Sequence, residues 1–221
     1  HMCEKLRALG APEEKLFHNA CGAELSEQAS AAPADAEPRF VMVGRLVEKK
    51  APFVSLLAFA RVAAEFPEAE LEVVGDGPLM APCQQLSKAL GIEGRVTFAG
   101  ARPHSYVMSA LTKARCFIQH SVRAPDGDME GTPVGVLEAM GMGLPVVSTR
   151  HGGIRDIISE GETGLLVDEY DADAMSAAMR ELAGKPRYAA DLGSKARKSV
   201  LENWTSEKSV GRLWDIIQKT C

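Results

Sequence analysis

The sequence lacks an apolar run close to the roughly 18 residues that a membrane-spanning helix needs. Its longest charge-free stretch of interest, residues 139–149, is interrupted by Gly141, Gly143 and Pro145. It also lacks an excess of basic residues, because 25 Lys and Arg stand against 30 Asp and Glu, a formal net charge of −5. We therefore expect neither a transmembrane segment nor a broad surface for nucleic acid, although a local basic pocket for a small anion remains compatible with this charge.

Paired cysteines and a leader segment are missing as well. The five cysteines are scattered and none forms a Cys-x-x-Cys motif, so the sequence predicts neither a zinc ribbon nor a disulfide framework. A reducing, cytoplasmic location is the simplest expectation. No signal peptide is visible, and His1-Met2 is typical of an expression-tag remnant, so we expect the natural start of the protein to be absent.

The pattern of the chain changes near residue 39. Residues 29–38 contain two prolines and no large apolar residue, which is typical of a linker that buries too little surface to become ordered. We expect this linker to separate residues 1–38 from a single domain over residues 39–221, which ends in helices with apolar faces.

Short β-rich runs alternate with amphipathic helical patterns after residue 39. Strands are predicted over residues 39–44, 71–75, 95–98, 116–119, 145–148 and 164–167. Helices are expected to begin at Pro52 and Pro133, since proline suits the first helical position. The alternation predicts an α/β fold, a doubly wound, parallel, six-stranded Rossmann-like sheet whose ligands bind beyond the carboxyl ends of its strands.

The loops after the first two predicted strands carry glycines and cations. Gly44 is followed by Arg45 and Lys50, and two fixed positive charges at a strand end suit a diphosphate, although a solvated basic turn explains the same residues. The next loop contains Gly75 and Gly77 but lacks the third glycine of a dinucleotide fingerprint. Hydride transfer is therefore poorly supported.

Two carboxylates flank the helix that is predicted to begin at Pro133. Glu130 lies in the preceding loop, and Glu138 lies about one and a half turns into a mostly apolar helix. Unpaired amides at a helix start bind anions, and carboxylates accept hydrogen bonds from sugar hydroxyls. The arrangement suits a sugar diphosphate, although the helix dipole alone can account for Glu130. A carboxylate on an apolar helix, such as Glu138, needs a partner.

Three histidines lie at or near the predicted strand ends. His151 begins a glycine-rich loop, His120 ends a strand, and His104 is less well placed. A lone histidine is more often structural than catalytic, so we treat them only as candidates for lining the pocket.

Several weak motifs occur together in a characteristic order. They are residues 44–46 (Gly-Arg-Leu) with Lys50, residues 74–78 (Val-Gly-Asp-Gly-Pro), Glu130 with Glu138, residues 139–149, residues 152–154 (Gly-Gly-Ile) and residues 161–167. As a set, over about residues 39–205, they resemble the carboxyl-terminal, donor-binding domain of retaining GT-B glycosyltransferases of family 4, in the branch that builds colanic acid and amylovoran.

The resemblance implies a role for each matching residue. It implies that Arg45 and Lys50 hold the donor diphosphate and stabilise its charge. It also implies that Glu130 contacts the transferred sugar and lies near the reacting carbon, and that Glu138 binds the ribose hydroxyls. The remaining donor contacts that it implies are Gly75, Gly77, Ala101, Arg102, Gly131, Thr132 and Val134. Family 4 enzymes need no metal and no cofactor besides the UDP- or GDP-sugar. Two departures are Thr132-Pro133, where many relatives have Gly-Phe-Gly, and Ala51, where glycine is frequent.

The resemblance also implies that one half of a GT-B enzyme is present. Residues 4–25 resemble the tail of the missing N-terminal domain and the hinge, and the last helix resembles the segment that packs back onto that domain. We expect a hexosyltransferase that uses a glycan or lipid-linked acceptor. We expect it in the cytoplasm, and peripheral association with the inner membrane is an alternative location for the full-length enzyme. The alternatives are half of a non-hydrolysing sugar epimerase and a non-enzymatic nucleotide-binding module.

Overall fold

A parallel sheet of six strands forms the centre of the protein, whose computed structural model describes residues 2–25 and 30–220. The strands are β1 (Arg39–Val43), β2 (Glu70–Val74), β3 (Val96–Gly100), β4 (Cys116–Gln119), β5 (Val146–Thr149) and β6 (Gly164–Val167). They are arranged in the order β3-β2-β1-β4-β5-β6, and every pair is parallel. This is the strand order of a Rossmann-like sheet. Successive strands are added toward one edge from β1 to β3 and toward the other edge from β4 to β6, so the order reverses between β1 and β4.

Helices cover both faces of this sheet. They are α1 (Met2–Ala8), α2 (Pro52–Glu65), α3 (Met80–Ala89), α4 (His104–Thr112), α5 (Val134–Gly141), α6 (Ile154–Ile157), α7 (Ala172–Gly184), α8 (Pro186–Asn203) and α9 (Ser206–Thr220). Helices α2 and α7 pack together on one face, and α5 and α8 pack together on the other. The predicted doubly wound α/β fold is therefore confirmed.

Neighbouring residues of β1 show why the sheet is buried on both sides. Phe40 belongs to the apolar core beneath α2, where its ring meets that of Phe59 edge-on at 6.2 Å between centroids. The next residue, Val41, points the other way into the core that contains Phe117 and Met140. Side chains alternate across a strand, so a strand covered on both faces is apolar along its buried length, as residues 40–43 of β1 and 116–118 of β4 are.

The predicted element bounds agree with the structure to within one or two residues, with one displacement at α5. Pro133 is the N-cap residue of α5, and the helix itself begins at Val134. Proline lacks an amide hydrogen, and at the N-cap no helical hydrogen bond needs one. The strands β4 and β6 have the bounds that the apolar runs predicted.

The expectation of an unpacked linker is wrong for residues 30–38; Ala29 lies outside the described residues. Pro33 and Pro38 are buried, and the amide of Ala31 donates to the carbonyl of Met142 at 2.7 Å. The guanidinium of Arg115 donates to the carbonyl of Ala36. Backbone hydrogen bonds and a buried arginine order this segment, although it has no large apolar side chain.

The amino-terminal segment packs against the start of α9. Ala23 exchanges backbone hydrogen bonds with the carbonyl of Trp204 and the amide of Ser206, at 2.9 and 3.0 Å. The apolar residues of α9, in contrast, are exposed, namely Val210, Leu213, Trp214 and Ile217. Within the described residues, none of the helices combines the length and apolarity required to cross a membrane.

Candidate functional site

A cleft of about 650 Å³ opens at the carboxyl ends of β1 and β4, where the strand order reverses. Its lining comes from the segment between β1 and α2, the loop between β4 and α5, and α5 itself. Open α/β sheets bind their ligands at this switch point, because the two loops diverge there and leave a crevice. The topology therefore builds the cleft before any side chain is considered.

The cleft brings together the four residues on which the sequence interpretation depends. Arg45, Lys50, Glu130 and Glu138 all line it. Lys50 and Glu130, which are 80 residues apart in the chain, are in direct contact. The expectation that these side chains share one hollow is met, while their roles toward a ligand stay predictions.

Lys50 is largely buried and held by two acceptors. Its Nζ donates to Oε1 of Gln119 at 3.0 Å and to Oε2 of Glu130 at 3.1 Å. Burial lowers the pKa of Lys50, and the carboxylate of Glu130 opposes this shift. An ammonium has three donor hydrogens, so one remains for a ligand.

Glu130 is buried at the floor of the cleft. Only 7% of its side chain is exposed, and its second oxygen, Oε1, has no hydrogen-bond partner within residues 2–25 and 30–220. The Nζ of Lys49 approaches this oxygen at 3.8 Å but is engaged with Asp128 at 3.1 Å. A buried acceptor without a donor is costly, which marks Oε1 as a place for a ligand hydroxyl.

Glu138 lies on the wall of the cleft formed by α5. Burial raises the pKa of Glu138, and His104 partly offsets this shift. The Nδ1 of His104 lies 3.7 Å from Oε1 of Glu138, so the two form a loose ion pair when the histidine is protonated. The sequence interpretation ranked His104 below His120, but α4 brings His104 beside this acid.

Arg45 is a cation in the lining of the cleft whose charge is available to a ligand. Its side chain is exposed and forms no hydrogen bond or ion pair with any described residue. Behind it, Ala51 has a left-handed backbone with φ 33°. Glycine adopts this conformation without strain, which gives a physical reason for the glycine that the resembling family often has there.

Gly75 and Gly77 pack against the segment between β1 and α2 and are not among the residues that line the cleft. A Cβ atom on Gly75 would overlap the carbonyl of Gly44, and one on Gly77 would lie 2.5 Å from the carbonyl oxygen of Leu46. These glycines therefore let the loops after β1 and β2 pack backbone to backbone. Their predicted contact with a ligand stays a prediction.

Four other predicted donor contacts are not among the residues that line the cleft, and their contact with a ligand stays a prediction. Ala101 and Arg102 are exposed beside α4, where the guanidinium of Arg102 stacks on the ring of Tyr106 at 5.2 Å. Gly131 and Thr132 lie in the turn that precedes α5.

The start of α5 offers free amides to the cleft. Val134 and Gly135 both line it, and their N–H groups have no acceptor in the part of the chain that the structure describes. The helix dipole adds partial positive charge at this end. Lys50, Arg45 and these amides thus supply the cleft with donors suited to phosphate oxygens, alongside the carboxylates that also line it.

A hydrogen-bonded pair beneath Glu130 was missed by the sequence interpretation. Nε2 of the buried His151 accepts from the amide of Glu130 at 3.1 Å, and its Nδ1 lies 2.6 Å from Oε1 of Glu169. His151 was only a candidate for lining the pocket, and Glu169 was not considered. Glu169 follows β6, so the rule that polar residues after parallel strands meet at one edge could have found it.

The remaining candidate, His120, lies away from the lining of the cleft. It is fully buried, its Nε2 accepts from the amide of Tyr170 at 2.8 Å, and burial lowers the pKa of His120 to about 4. Within the described residues, no three His, Cys, Asp or Glu side chains are grouped as metal ligands would be. Metal-independent chemistry stays a prediction.

Comparison with known proteins agrees with this geometry. The family model described as "Glycosyl transferases group 1" matches residues 25–199. AmsK of Erwinia amylovora, an amylovoran biosynthesis glycosyltransferase, is 32% identical over 218 residues, which are 97% of this chain and 53% of AmsK. WcaL of Salmonella typhimurium, assigned provisionally to colanic acid biosynthesis as a glycosyltransferase, is 29% identical over 97% of this chain and 53% of its own length.

A third relative is named for a different transfer reaction. It is the GDP-mannose-dependent alpha-(1-6)-phosphatidylinositol monomannoside mannosyltransferase of Mycolicibacterium smegmatis, 31% identical over 81% of this chain and 47% of its own length. The chain thus spans about half the length of these curated relatives.

Two solved structures share the fold. The lipopolysaccharide outer core galactosyltransferase WaaB superposes with a TM-score of 0.82 at 21% identity, over all of this chain and 60% of WaaB. HepE of Anabaena, in complex with UDP-glucose, superposes with a TM-score of 0.71 at 20% identity, over 85% of this chain and 49% of HepE. At these identities the likeness shows the fold alone.

The family match gives no support to the epimerase or to the non-enzymatic alternative. It covers the sheet, the cleft and all four residues on which the sequence interpretation depends. The chain belongs to the glycosyl transferase group 1 family and has the Rossmann-like fold of one half of a GT-B glycosyltransferase.

Proposed function

We propose that the cleft binds a nucleotide diphosphate sugar, UDP- or GDP-linked, and that the chain is the donor-binding half of a retaining hexosyltransferase. The observation that carries this proposal is the buried Oε1 of Glu130, which has no hydrogen-bond partner among the described residues. It lies 3.8 Å from the ammonium of Lys49, while Oε2 accepts from the ammonium of Lys50. Oε1 is a buried acceptor beside two ammonium groups, in a cleft that is also lined by Arg45, which matches a hydroxylated sugar attached to a diphosphate.

The diphosphate contacts Arg45, Lys50 and the free amides at the start of α5. Arg45 has an uncommitted guanidinium, and Lys50 has one donor hydrogen left after Gln119 and Glu130 are satisfied. Charge-assisted hydrogen bonds from both cations are stronger than neutral ones and select an anion. The missing amide hydrogen of Pro133 leaves Val134 and Gly135 as the helix-start donors.

The sugar and the nucleoside extend from the two ends of the diphosphate. Oε1 of Glu130 accepts from a sugar hydroxyl near the reacting carbon. Glu138 accepts from the ribose hydroxyls, because its largely buried carboxylate has no hydrogen-bond donor among the described residues, and Ala101 and Arg102 border the base. Gly75, Gly77, Gly131 and Thr132 shape the loops around these contacts.

The transfer breaks the bond between the anomeric carbon and the leaving phosphate oxygen. A bond to the acceptor oxygen forms on the same face, and the acceptor proton passes to the departing diphosphate. Arg45 and Lys50 offset the negative charge that develops on that phosphate, which is electrostatic stabilisation in place of a metal ion.

The acceptor is a glycan or a lipid-linked sugar in bacterial exopolysaccharide synthesis at the cytoplasmic side, as the names of AmsK and WcaL suggest. Acceptor binding and closure of the cleft belong to an N-terminal domain of the full enzyme, which the greater length of the relatives supports. The present chain binds donor without efficient transfer, and the full-length enzyme works at the inner membrane surface.

The test is binding of UDP-glucose, GDP-mannose and ADP-glucose, measured by thermal shift and calorimetry. A ligand bound only by the folded state raises the melting temperature. We expect one nucleotide sugar to bind, Glu130→Gln to weaken it relative to its nucleoside diphosphate, and Glu138→Gln to weaken the nucleoside as well. Glu202→Gln, an exposed carboxylate on α8, is the control. Absence of binding, or affinity unchanged by both cleft variants, contradicts the proposal.

A further inference from the structure

We propose that His151 and Glu169 are positioning residues that hold Glu130 by its main chain, an inference that rests on the proposed function of Glu130 as the sugar-binding acid. Glu130 lies near the end of a loop that runs from β4 to α5 without regular secondary structure. A loop of this kind is mobile unless its backbone is fixed.

Both backbone groups of Glu130 are bonded to the segment that follows β5. Its N–H donates to Nε2 of His151 at 3.1 Å, and its carbonyl accepts from the amide of Gly153 at 3.4 Å. A Cβ atom on Gly152 would overlap the carbonyl of Glu130, and one on Gly153 would overlap the carbonyl of Gly131. The two glycines thus allow the backbones to approach closely enough for His151 to reach the amide.

Glu169 connects His151 to the other end of the same loop. Its Oε1 lies 2.6 Å from Nδ1 of His151, and its Oε2 accepts from the amide of Arg123 at 3.0 Å. Burial raises the pKa of Glu169, yet these hydrogen bonds outweigh it and hold the pKa below its usual range. One carboxylate after β6 therefore ties down residues 123 and 130.

The hydrogen bonds define the form of the imidazole. Because Nε2 accepts from the Glu130 amide, the proton of the neutral ring is on Nδ1 and is donated to Glu169. The side chain of His151 is fully buried, so water does not compete for these bonds. With the main chain held, the Glu130 carboxylate can keep Oε1 free of partners until a sugar hydroxyl arrives, which is preorganisation.

Two substitutions at position 151 separate the two bonds. His151→Gln places an oxygen near the position of Nε2 and keeps an acceptor for the Glu130 amide. His151→Asn reaches only as far as Nδ1 and keeps the contact with Glu169. The matched control is His120→Asn, the same change at another fully buried histidine, whose Nε2 accepts from the amide of Tyr170 instead.

The first measurement is hydrogen exchange of the Glu130 amide by NMR, which needs no ligand. We expect exchange about tenfold faster in His151→Asn, the equivalent of one hydrogen bond's net contribution, and near the original rate in His151→Gln and His120→Asn. The ¹⁵N shifts of the His151 ring should show a protonated Nδ1 and an unprotonated Nε2. An unchanged exchange rate of the Glu130 amide in His151→Asn overturns the inference.

The second measurement is calorimetric affinity for UDP-glucose and GDP-mannose against UDP and GDP. His151→Asn should weaken the bound nucleotide sugar about tenfold and its nucleoside diphosphate by less than about twofold, with rescue by His151→Gln. Equal losses for both ligands mean a merely structural role and overturn the inference. If the exchange responds as expected but the original protein binds no nucleotide sugar, the proposed function fails while the bond to Glu130 stands.

Discussion

Replacing Lys50 by methionine tests most directly whether this ammonium binds the diphosphate. Methionine keeps most of the apolar stem of this side chain, of which only 17% is exposed, and removes the ammonium. A hydrogen bond to a charged group contributes about 1.5–3 kcal/mol. Since 1.36 kcal/mol corresponds to a tenfold change, we expect the affinity for UDP or GDP to fall about 10- to 150-fold.

The same variant should bind uridine or guanosine almost as well as the original protein does. The nucleoside has no phosphate, and Glu138 lies on α5 rather than beside the ammonium. Lys49→Met is the matched control, because it removes the same charge one position earlier, from an ammonium already bonded to Asp128 at 3.1 Å. We expect that control to lose less than about threefold in UDP affinity, since paired surface charges contribute little.

The assay is titration calorimetry of each variant with the diphosphate and its nucleoside, so that any change in stability affects both ligands and cancels in their ratio. The variant leaves the buried Glu130 without its 3.1 Å partner, and a lower melting temperature is expected as well. Burial lowers the pKa of Lys50 below its ordinary 10.5, so UDP affinity in the original protein should fall as the pH rises toward that lowered value. Equal losses for UDP and uridine in Lys50→Met would refute the phosphate role.

The remaining predictions concern the cleft wall, the loop packing and the exposed helix. Because burial raises the pKa of Glu138, uridine affinity should fall as the pH drops through that pKa, and Glu138→Gln should abolish this dependence in a calorimetric pH series. Gly153→Ala should cost about 1–3 kcal/mol in chemical denaturation because its methyl group overlaps the carbonyl of Gly131, whereas Gly94→Ala, with no atom within 4 Å of its Cβ position, should cost under about 1 kcal/mol. Trp214→Ser should change the unfolding free energy by less than about 0.5 kcal/mol, because 59% of Trp214 is exposed, and a larger loss would mean that α9 is covered in solution.

The sequence predicted the sheet because its strands are buried on both faces. Three consecutive large or sulfur-containing apolar residues, as in residues 116–118 of β4 and 165–167 of β6, are typical of a strand in a covered parallel sheet, and Pro52 marks the start of α2. Residues 30–38 were misjudged since their order comes from backbone hydrogen bonds and the buried guanidinium of Arg115, which composition does not reveal. The periodicity of α9 identified its apolar stripe, but periodicity does not show whether anything covers such a stripe.

The candidate site was predictable as a set of strand-end residues and not as a network of contacts. Arg45, Lys50 and Glu130 follow strands whose carboxyl ends meet at one edge. Because β1 and β4 are neighbours in the sheet, these residues line one cleft. The bond from His151 to the Glu130 amide joins a side chain to a backbone group 21 residues away, and nothing in either residue type specifies it. Glu169 was within reach of the same strand-end reasoning.

The support of Glu130 through its amide and carbonyl has a consequence for how this site can change. Neither of those bonds depends on the identity of the side chain at position 130, so both hydrogen bonds persist when that side chain is exchanged. A different residue placed there is presented to the same point of the cleft at the same angle. A single substitution at position 130 can therefore change the ligand specificity of the cleft while the backbone of the loop keeps its conformation.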